Sequence, residues 1–599
     1  MSEALWLFNT MAKRRRSASD SFEENGLAVL ESYLKARGHS VRLIDYAIEE
    51  TYRSLTPAWL ARLTRRVYKR LMEAQGQKSL GLRGLALLAG ALQGAMTKIQ
   101  ERRMRRLLDS VAREVAENHV PLFGMKVWYG EAFTWAKYLT GRIHELSPET
   151  VVIAGGYHAT LYEEDILRYS NFDLAVAGDG EDALDQMIKL VKVTSPWSKA
   201  AFLQAVHARI RDGKIPGGLF RDGDKIARAE RRQTACEEIE HEKAIPVYRK
   251  NSGKNKVHIL LESIGCPWGK CYFCVHSQFE KIYLKRNIDD LMNEIENMIQ
   301  QGVAIFRFTG SDTPPDFGAK IAEAILRRGF KIEFTMGTRA VKGSSDPAVF
   351  EKIAHSYELL SKAGLKAVFM GGETGNDIIN DKIMNKGLGR ADIISTIKAI
   401  RAAEARTGLH VSVTLAMIYP TPLIDGITHE DVRRDNLQLI RDSMPDSAIA
   451  TPPGPFKNSV WNSEKERFGF KLGENSLEMA MEYEYVLYKP LSMWPELDIS
   501  LGGLTFKQLL VLSQSFRNQV QTDIGIPSDL SDEHYLMMSA AGITGKQGIM
   551  EFRQNVMLDL VSCDYTYINE IGRKLTERST ELARLNTSQK ADTASQAAA

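Results

Sequence analysis

Cysteine is scarce in this chain: there are five among 599 residues, too few for a disulfide framework to hold a protein of this size. Equally absent is an excess of charge of either sign. Lys and Arg total 78 against 75 Asp and Glu, a net charge of +3, which is too small for this length to point to nucleic acid. No apolar run reaches the roughly 20 residues that a membrane span needs; the longest, Gly84–Met96, has Arg83 at its edge. The start shows no secretory pattern, because the short apolar stretch at Trp6–Phe8 leads into the basic Lys13–Arg16 without a cleavage motif. No repeat of solenoid length is visible. The expectation is a cytoplasmic protein in a reducing compartment, with neither membrane nor nucleic acid among its partners.

What is present divides the chain. Apolar runs at Ala4–Phe8, Ser40–Tyr46, Met125–Tyr129, Val151–Ala154 and Leu174–Ala177 are mostly separated by helix-length amphipathic stretches. They predict an α/β, Rossmann-like doubly wound parallel sheet over residues 1–195. Ligands of such sheets sit outside the carboxyl ends of the strands. Asn9-Thr10, Tyr129-Gly130-Glu131, Gly155-Gly156-Tyr157-His158-Ala159-Thr160 and Gly178-Asp179-Gly180-Glu181 should therefore share one rim. An insertion at about 52–118, rich in Arg and Lys with apolar residues at helical spacing, reads as a solvated helical pair or as a basic docking surface.

Residues 196–250 read as a charged connector with a few short strands. From residue 251 to 475, strands at Val257–Leu261, Ala304–Phe308, Ile332–Met336, Ala367–Met370, His410–Ile418 and Ser447–Ala450 alternate with amphipathic helices. About six βα units predict a partial or complete parallel barrel with its site at the strand carboxyl ends. Residues 476–585 read as a helical domain, and 586–599 as a disordered tail. Thr451–Phe456 with Trp461, and Tyr419–Pro422, are candidate substrate loops.

Three of the five cysteines fall in Gly265-Cys266-Pro267-Trp268-Gly269-Lys270-Cys271-Tyr272-Phe273-Cys274, directly after the first barrel strand. Three thiolates in one loop can hold three irons of a four-iron cluster and leave the fourth open to a ligand. The other reading is a structural zinc, completed by His276. Against zinc stands the place of the loop: it opens a long βα domain large enough to fold without a metal staple. Cys236 and Cys563 stand alone and read as incidental.

With these features the chain resembles the cobalamin-binding radical S-adenosylmethionine enzymes over about residues 1–475. The three cysteines after the first barrel strand, with the aromatic Phe273 before the third, carry the resemblance. The first gap departs from it, with four residues (Pro267–Lys270) where the family usually has three. The resemblance implies three cofactors: a 4Fe-4S cluster on Cys266, Cys271 and Cys274, S-adenosylmethionine, and cobalamin. S-adenosylmethionine would meet Phe273; Gly310, Ser311 and Asp312 after the second strand; Arg339 after the third; and Glu373 and Thr374 in Gly371-Gly372-Glu373-Thr374-Gly375. Cobalamin would lie on the rim, at Asn9, Thr10, Tyr129, Gly130, Glu131, Gly155, Gly156, Tyr157, His158, Thr160, Gly178, Asp179, Gly180 and Glu181. The Asp-x-His-x-x-Gly signature that supplies an axial histidine in many cobalamin mutases is missing.

The implied reaction removes a substrate hydrogen with a deoxyadenosyl radical and transfers a methyl group from methylcobalamin to carbon. Its partners would be a small-molecule or peptide substrate and an electron donor such as flavodoxin or ferredoxin. Cyclisation, rearrangement or another group transfer with the same cofactors is the alternative. A zinc-containing binding protein without turnover is the reading from another class.

Overall fold

The computed structural model describes residues 3–74, 80–231, 244–249, 252–277, 283–483 and 491–598. Its first sheet has seven strands in the order β2-β1-β3-β4-β5-β6-β7. They are β1 (Leu5–Asn9), β2 (Val41–Asp45), β3 (Leu122–Lys126), β4 (Val151–Gly155), β5 (Leu174–Val176), β6 (Gly218–Asp222) and β7 (Lys225–Arg228). The first five run parallel. They are covered on both faces, so Leu5–Phe8, Leu122–Met125 and Val151–Ala154 are buried without alternation.

From β1 the chain goes first to β2 on one side and then to β3 on the other. The crevice where winding reverses therefore opens at Asn9 and Lys126. Thr10 stitches across it: its Oγ donates to the Lys126 carbonyl (2.7 Å) and accepts from the Trp128 N–H (3.2 Å). The insertion between β2 and β3 is helical, at Glu49–Leu55, Ala58–Glu73 and Leu80–Glu117.

The stretch expected as a connector does more than connect. After a helix at Lys199–Arg211, β6 pairs antiparallel onto β5 and β7 onto β6, extending the sheet. Phe202, Val206, Ile210, Leu219 and Phe220 are buried there, so this segment closes the edge of the sheet. Residues 232–243 and 250–251, with Cys236 among them, lie outside the described residues.

The second sheet is an open, wholly parallel arc in the order β15-β14-β13-β12-β11-β8. Its strands are β8 (His258–Leu260), β11 (Ile305–Phe308), β12 (Glu333–Arg339), β13 (Leu365–Glu373), β14 (Ser412–Ile418) and β15 (Ser447–Thr451). Between β8 and β11 a small antiparallel hairpin, β9 (Ser263–Gly265) with β10 (Tyr283–Lys285), flanks the cysteine loop. Amphipathic helices cover the convex side. Met336 of β12 reaches Gly318 on one of them, within 3.7 Å of where a β-carbon would lie.

Its neighbour Thr335 points the other way, into the concave side, and donates to Asp532 (2.9 Å). The helix Asp532–Ala540 lies in that concavity: Asp532 also takes Arg307 of β11 in a two-pronged pair (2.9 and 3.1 Å), and the Leu530 carbonyl accepts from Thr414 and Ser447. The C-terminal helices thus fill the barrel from within, below the strand ends. A three-stranded antiparallel sheet, β16 (Phe470–Leu472), β17 (Ile499–Leu501) and β18 (Leu504–Thr505), accompanies them. The tail expected as disordered continues the last helix, Thr566–Ala598. Its Ala-rich composition favours that backbone, and Asn586 anchors it by bonds to both the N–H and the carbonyl of Lys331 (2.7 and 2.9 Å).

The segment after β15 crosses back to the first domain. Lys457 pairs with Asp165 and donates to the Tyr162 carbonyl (2.8 Å), and Asn458 donates to the Leu161 carbonyl (3.1 Å). Further on, the Met481 carbonyl accepts from the Gly130 N–H (3.0 Å), and Glu482 pairs with Lys137.

Candidate functional site

The cysteine loop sits at the carboxyl end of β8, as the sequence predicts, and it is held from three directions. The Tyr272 N–H donates to the Met384 carbonyl (2.9 Å), the Trp268 indole to the Asn385 carbonyl (2.8 Å), and Asn385 returns a bond to the Lys270 carbonyl (2.8 Å). Trp268 lies against Gly387, whose φ of +72° and whose missing side chain are both required: a methyl group there would enter the indole ring. Trp461 closes the third side. It donates to the Ile383 carbonyl (3.1 Å), takes the Tyr272 carbonyl with its own N–H (2.9 Å), and packs on Phe273 at 5.8 Å between ring centres.

Cys271 is buried, and Cys266 and Cys274 are half-buried. Burial raises the Cys271 thiol and pushes Cys274 up to about 12. Such thiols become thiolates on binding metal, whose charge replaces the water they have lost. The donor set, three soft sulfurs on one loop, fits an iron–sulfur cluster. Among the described residues no group of three His, Cys, Asp or Glu is drawn together as a cage for a single ion. His276, the possible fourth zinc ligand, instead faces Ser311 (Nε2 to Oγ 2.9 Å).

Beside the loop lie four charged residues, two of each sign. Asp312 is buried, raised by that burial, and accepts from the Arg339 N–H (3.0 Å); the Cys266 thiol faces its other oxygen at 3.8 Å. Glu373 takes Lys386 (2.8 Å), both buried. Burial alone would lower the Lys386 ammonium; Glu373 and Cys271 outweigh it and hold the pKa above the ordinary amine value. The Lys386 ammonium also stands 5.8 Å from the Phe273 ring centre. Arg339 stacks over Trp268 at 5.4 Å and donates to the Lys386 carbonyl, while its buried Nε finds no partner among the described residues. Glu373 adopts φ +60°, a strained backbone for a side chain of this size. Fixed opposite charges in a water-poor place suit a small zwitterion.

Other expected contacts fall elsewhere. Thr374 is fully buried and bonded to Asn436 (2.8 Å), part of a network that ties β13 to the helix His429–Ser443. Gly310 donates its N–H to Glu262 (3.0 Å), and Thr313 donates to the same carboxyl group. Glu262 is wholly buried between β8 and β9, and burial raises its pKa. It fixes the turn that carries Asp312. A glutamate at the end of an apolar strand is the sequence signal for it; Lys386, on a turn after a short π-helical stretch, has none.

The strand ends of both sheets open into one cavity of 1820 Å³, larger than the about 300–1,000 Å³ of ordinary ligand pockets. Its wall runs from Asn9, Thr10, Tyr129, Gly156, Tyr157, Thr160, Gly178, Asp179 and Glu181 on the first sheet to Ser263, Gly265, His276, Thr309 and Ser311 beside the cysteine loop. Arg307 and Glu533 form part of the wall at the concave face, with the helix Asp532–Ala540 supplying the glutamate. Gly155 and Gly180 line a smaller adjoining cavity of 250 Å³ that reaches into the first sheet.

Three rim candidates face away. Gly130 bonds to Met481, and Glu131 takes Lys13 and the Trp135 indole. His158 is buried between Phe133 and Tyr162, and burial lowers its pKa to about 3. Neither Thr451–Phe456 nor Trp461 lines the cavity.

Lys126, Trp128 and Asn25, which the sequence did not single out, do line it. The side-chain oxygens of Asn9 and Asn25 are buried at this wall without partners among the described residues. Roominess, backbone glycine at Gly156 and unpaired amide oxygens fit a large cofactor fringed with hydrogen-bond donors.

Two family models match the chain. One described as the B12 binding domain covers residues 80–188, and one described as the Radical SAM superfamily covers residues 263–434. A search of curated protein sequences finds no match. Among solved structures, the radical S-adenosylmethionine methyltransferase TsrM from Kitasatospora setae, with cobalamin and a [4Fe-4S] cluster bound, is similar in fold. It has a TM-score of 0.56 at 14% identity and covers 94% of this chain and 99% of its own. The cobalamin-dependent S-adenosylmethionine radical enzyme OxsB with aqua-cobalamin bound reaches 0.52 at 14% identity, covering 97% and 78%.

Proposed function

From a chain that joins a B12-binding domain to a radical SAM domain, we propose an enzyme that methylates an unactivated carbon of a natural product or a modified peptide. The observation that carries this reading is the single cavity shared by the two sets of strand ends. A substrate held there faces the cysteine loop on one side and the rim of the first sheet on the other. When bound, the cluster supplies the electron for reductive cleavage of S-adenosylmethionine, and cobalamin supplies the methyl group.

The protein's own part is to bind, orient and exclude water. Cys266, Cys271 and Cys274 would hold the cluster. Asp312 and Glu373 offer acceptors to the amino group of S-adenosylmethionine, and Arg339 and Lys386 offer donors to its carboxylate. Glu262 keeps the Asp312 turn in place. Asn9, Thr10, Asn25 and the glycine-lined strand ends receive the corrin. The helix Asp532–Ala540 closes the concave side, so the reacting carbon stays away from bulk solvent.

The test begins with anaerobic reconstitution with iron, sulfide and hydroxocobalamin. Candidate substrates are then incubated with S-adenosylmethionine labelled in the methyl group. About four irons and one cobalamin per chain, release of 5′-deoxyadenosine and label in the product are expected. Deoxyadenosine with an unlabelled, altered product would replace methylation by cyclisation, rearrangement or another transfer. Zinc without iron would overturn the reading.

A further inference from the structure

The helical insertion between β2 and β3 takes almost no part in the chamber, and its surface is unusual. Helix Ala58–Glu73 buries Leu60, Ala61, Thr64 and Val67 and turns Trp59, Arg62, Leu63, Arg66, Lys69 and Arg70 outward. The helix beside it, Leu80–Glu117, changes character along its length. Its second half buries Met104, Leu108, Val111, Ala112 and Val115 against the protein. Its first half is apolar, yet only 22% of its most apolar window is buried. Leu80, Leu87 and Leu88 are 88%, 77% and 44% exposed, although burying a leucine is worth about 1.5–3 kcal/mol. A contiguous apolar surface of this kind marks an interaction site.

Charge narrows the occupant. Between Ala58 and Gln100 the sequence holds eight Lys and Arg and one acidic residue, Glu73. Of the eight, Arg65 is turned inward to Asp559. A second copy of the chain would set like charges against each other, which disfavours self-association. The exposed arc of the second helix takes in Leu80, Gly84, Leu87, Leu88, Ala91 and Ala95. So broad an apolar arc, beside cations on the paired helix, matches a medium that wraps around it better than a groove that takes one stripe.

We propose that this helical pair rests on an anionic lipid surface, with Leu80, Leu87 and Leu88 in the headgroup boundary and Arg66, Arg70 and Arg83 against lipid phosphates. The contact is peripheral: helix Leu80–Glu117 lies on the bilayer by its first half and on the protein by its second. Span length, on which the expectation of no membrane partner rested, does not bear on such a contact.

The test is sedimentation of the full-length, cofactor-reconstituted protein with vesicles of phosphatidylglycerol and phosphatidylcholine. Binding is expected, falling severalfold as salt rises and weaker on phosphatidylcholine alone. The doubly substituted Leu87→Glu, Leu88→Glu protein should partition about tenfold less or worse, with iron and cobalamin content unchanged. Arg66→Glu with Arg70→Glu should remove the preference for phosphatidylglycerol. Wild-type protein that stays in the supernatant, or Leu87→Glu, Leu88→Glu protein that binds as well as wild type, overturns the proposal. Concentration-dependent self-association without vesicles, abolished by Leu87→Glu, overturns it in favour of a second copy.

Discussion

The cysteine loop and the rim of the first sheet are built on opposite plans. At the cysteine loop, Asp312, Glu373 and Lys386 are buried charges, each held by a partner of opposite sign or a backbone bond, and the loop is tied to the 383–387 turn by several hydrogen bonds. At the rim of the first sheet the wall is glycine, exposed tyrosine and amide oxygen without a partner among the described residues. One end fixes charge in advance; the other leaves room and lets the backbone come close. A small ionic ligand gains most from preorganised charge, whereas a large ligand gains from a surface that a side chain does not obstruct. Damage should therefore be local to each end.

The largest effect should come from the cysteines. Cys266→Ala, Cys271→Ala and Cys274→Ala are each expected to lose the cluster and all cleavage of S-adenosylmethionine, read by iron content and 5′-deoxyadenosine release, while cobalamin stays bound. Cys563→Ala, whose thiol is buried far along the chain and accepts from Gln100, should keep its irons. Equal iron in all four proteins would dissolve the distinction between the two ends.

Next comes the buried ion pair. Glu373→Gln strands the Lys386 ammonium, a loss of about 3–5 kcal/mol for breaking a buried pair from one side, seen as a lower midpoint in chemical denaturation. Removing both charges, with Glu373→Gln and Lys386→Met, should recover much of that stability but not the cleavage activity. Full recovery of activity would make the pair purely structural.

A third pair of substitutions sets glycine against glycine. Gly387→Ala drives a methyl group into Trp268 at a left-handed backbone position, at a cost of about 1–3 kcal/mol, and should lower iron uptake while sparing cobalamin. Gly156→Ala, at φ +89° with Lys126 Cγ 3.1 Å from the new carbon, should do the reverse. Both cofactors falling together in either variant would mean that the ends are coupled.

The smallest effect on cofactor content concerns pH, which bears on stability alone. Burial raises Glu23, on the cavity wall where the domains meet, to about 7 from 4.5. A carboxyl group held neutral in the fold binds its proton more tightly folded than unfolded. Its contribution is complete below about pH 4.5 and is lost as pH rises toward 7, a change of about 2–3 kcal/mol. Glu23→Gln should flatten that part of the stability profile, and an unchanged slope would show that Lys254 and Ser252 already hold the carboxylate ionised.

Much of the frame was legible because it is periodic. Apolar runs buried on both faces announce parallel strands, and all six barrel strands fall where the runs predict them, within a few residues. The cysteine loop was legible because its spacing is local. Lys386 was not, since nothing on a turn signals that its ammonium reaches back to Glu373. The hairpin β6–β7 reads as part of a connector because its strands are short and rich in charge, although the burial of β6 against β5 depends on a helix that precedes it. Thr374 and His158 show the other failure. Both occupy motif positions, yet one is taken by Asn436 and the other by an aromatic cage, because the face a residue turns to depends on partners distant in sequence. The filling of the barrel by Asp532–Ala540 likewise rests on Arg307 and Thr335, more than 190 positions away.

The crossing segment after β15 has one more consequence. Lys457 and Asn458 are fastened to Tyr162, Asp165 and Leu161, while Met481 and Glu482 are fastened to Gly130 and Lys137. The gap between the rim of the first sheet and the cysteine loop is thus bridged by a length of chain that belongs to neither. Any widening of that gap would have to unfasten the clasp at Asp165 together with the bonds from Asn25 to the Ile259 carbonyl and from Arg15 to Asn569.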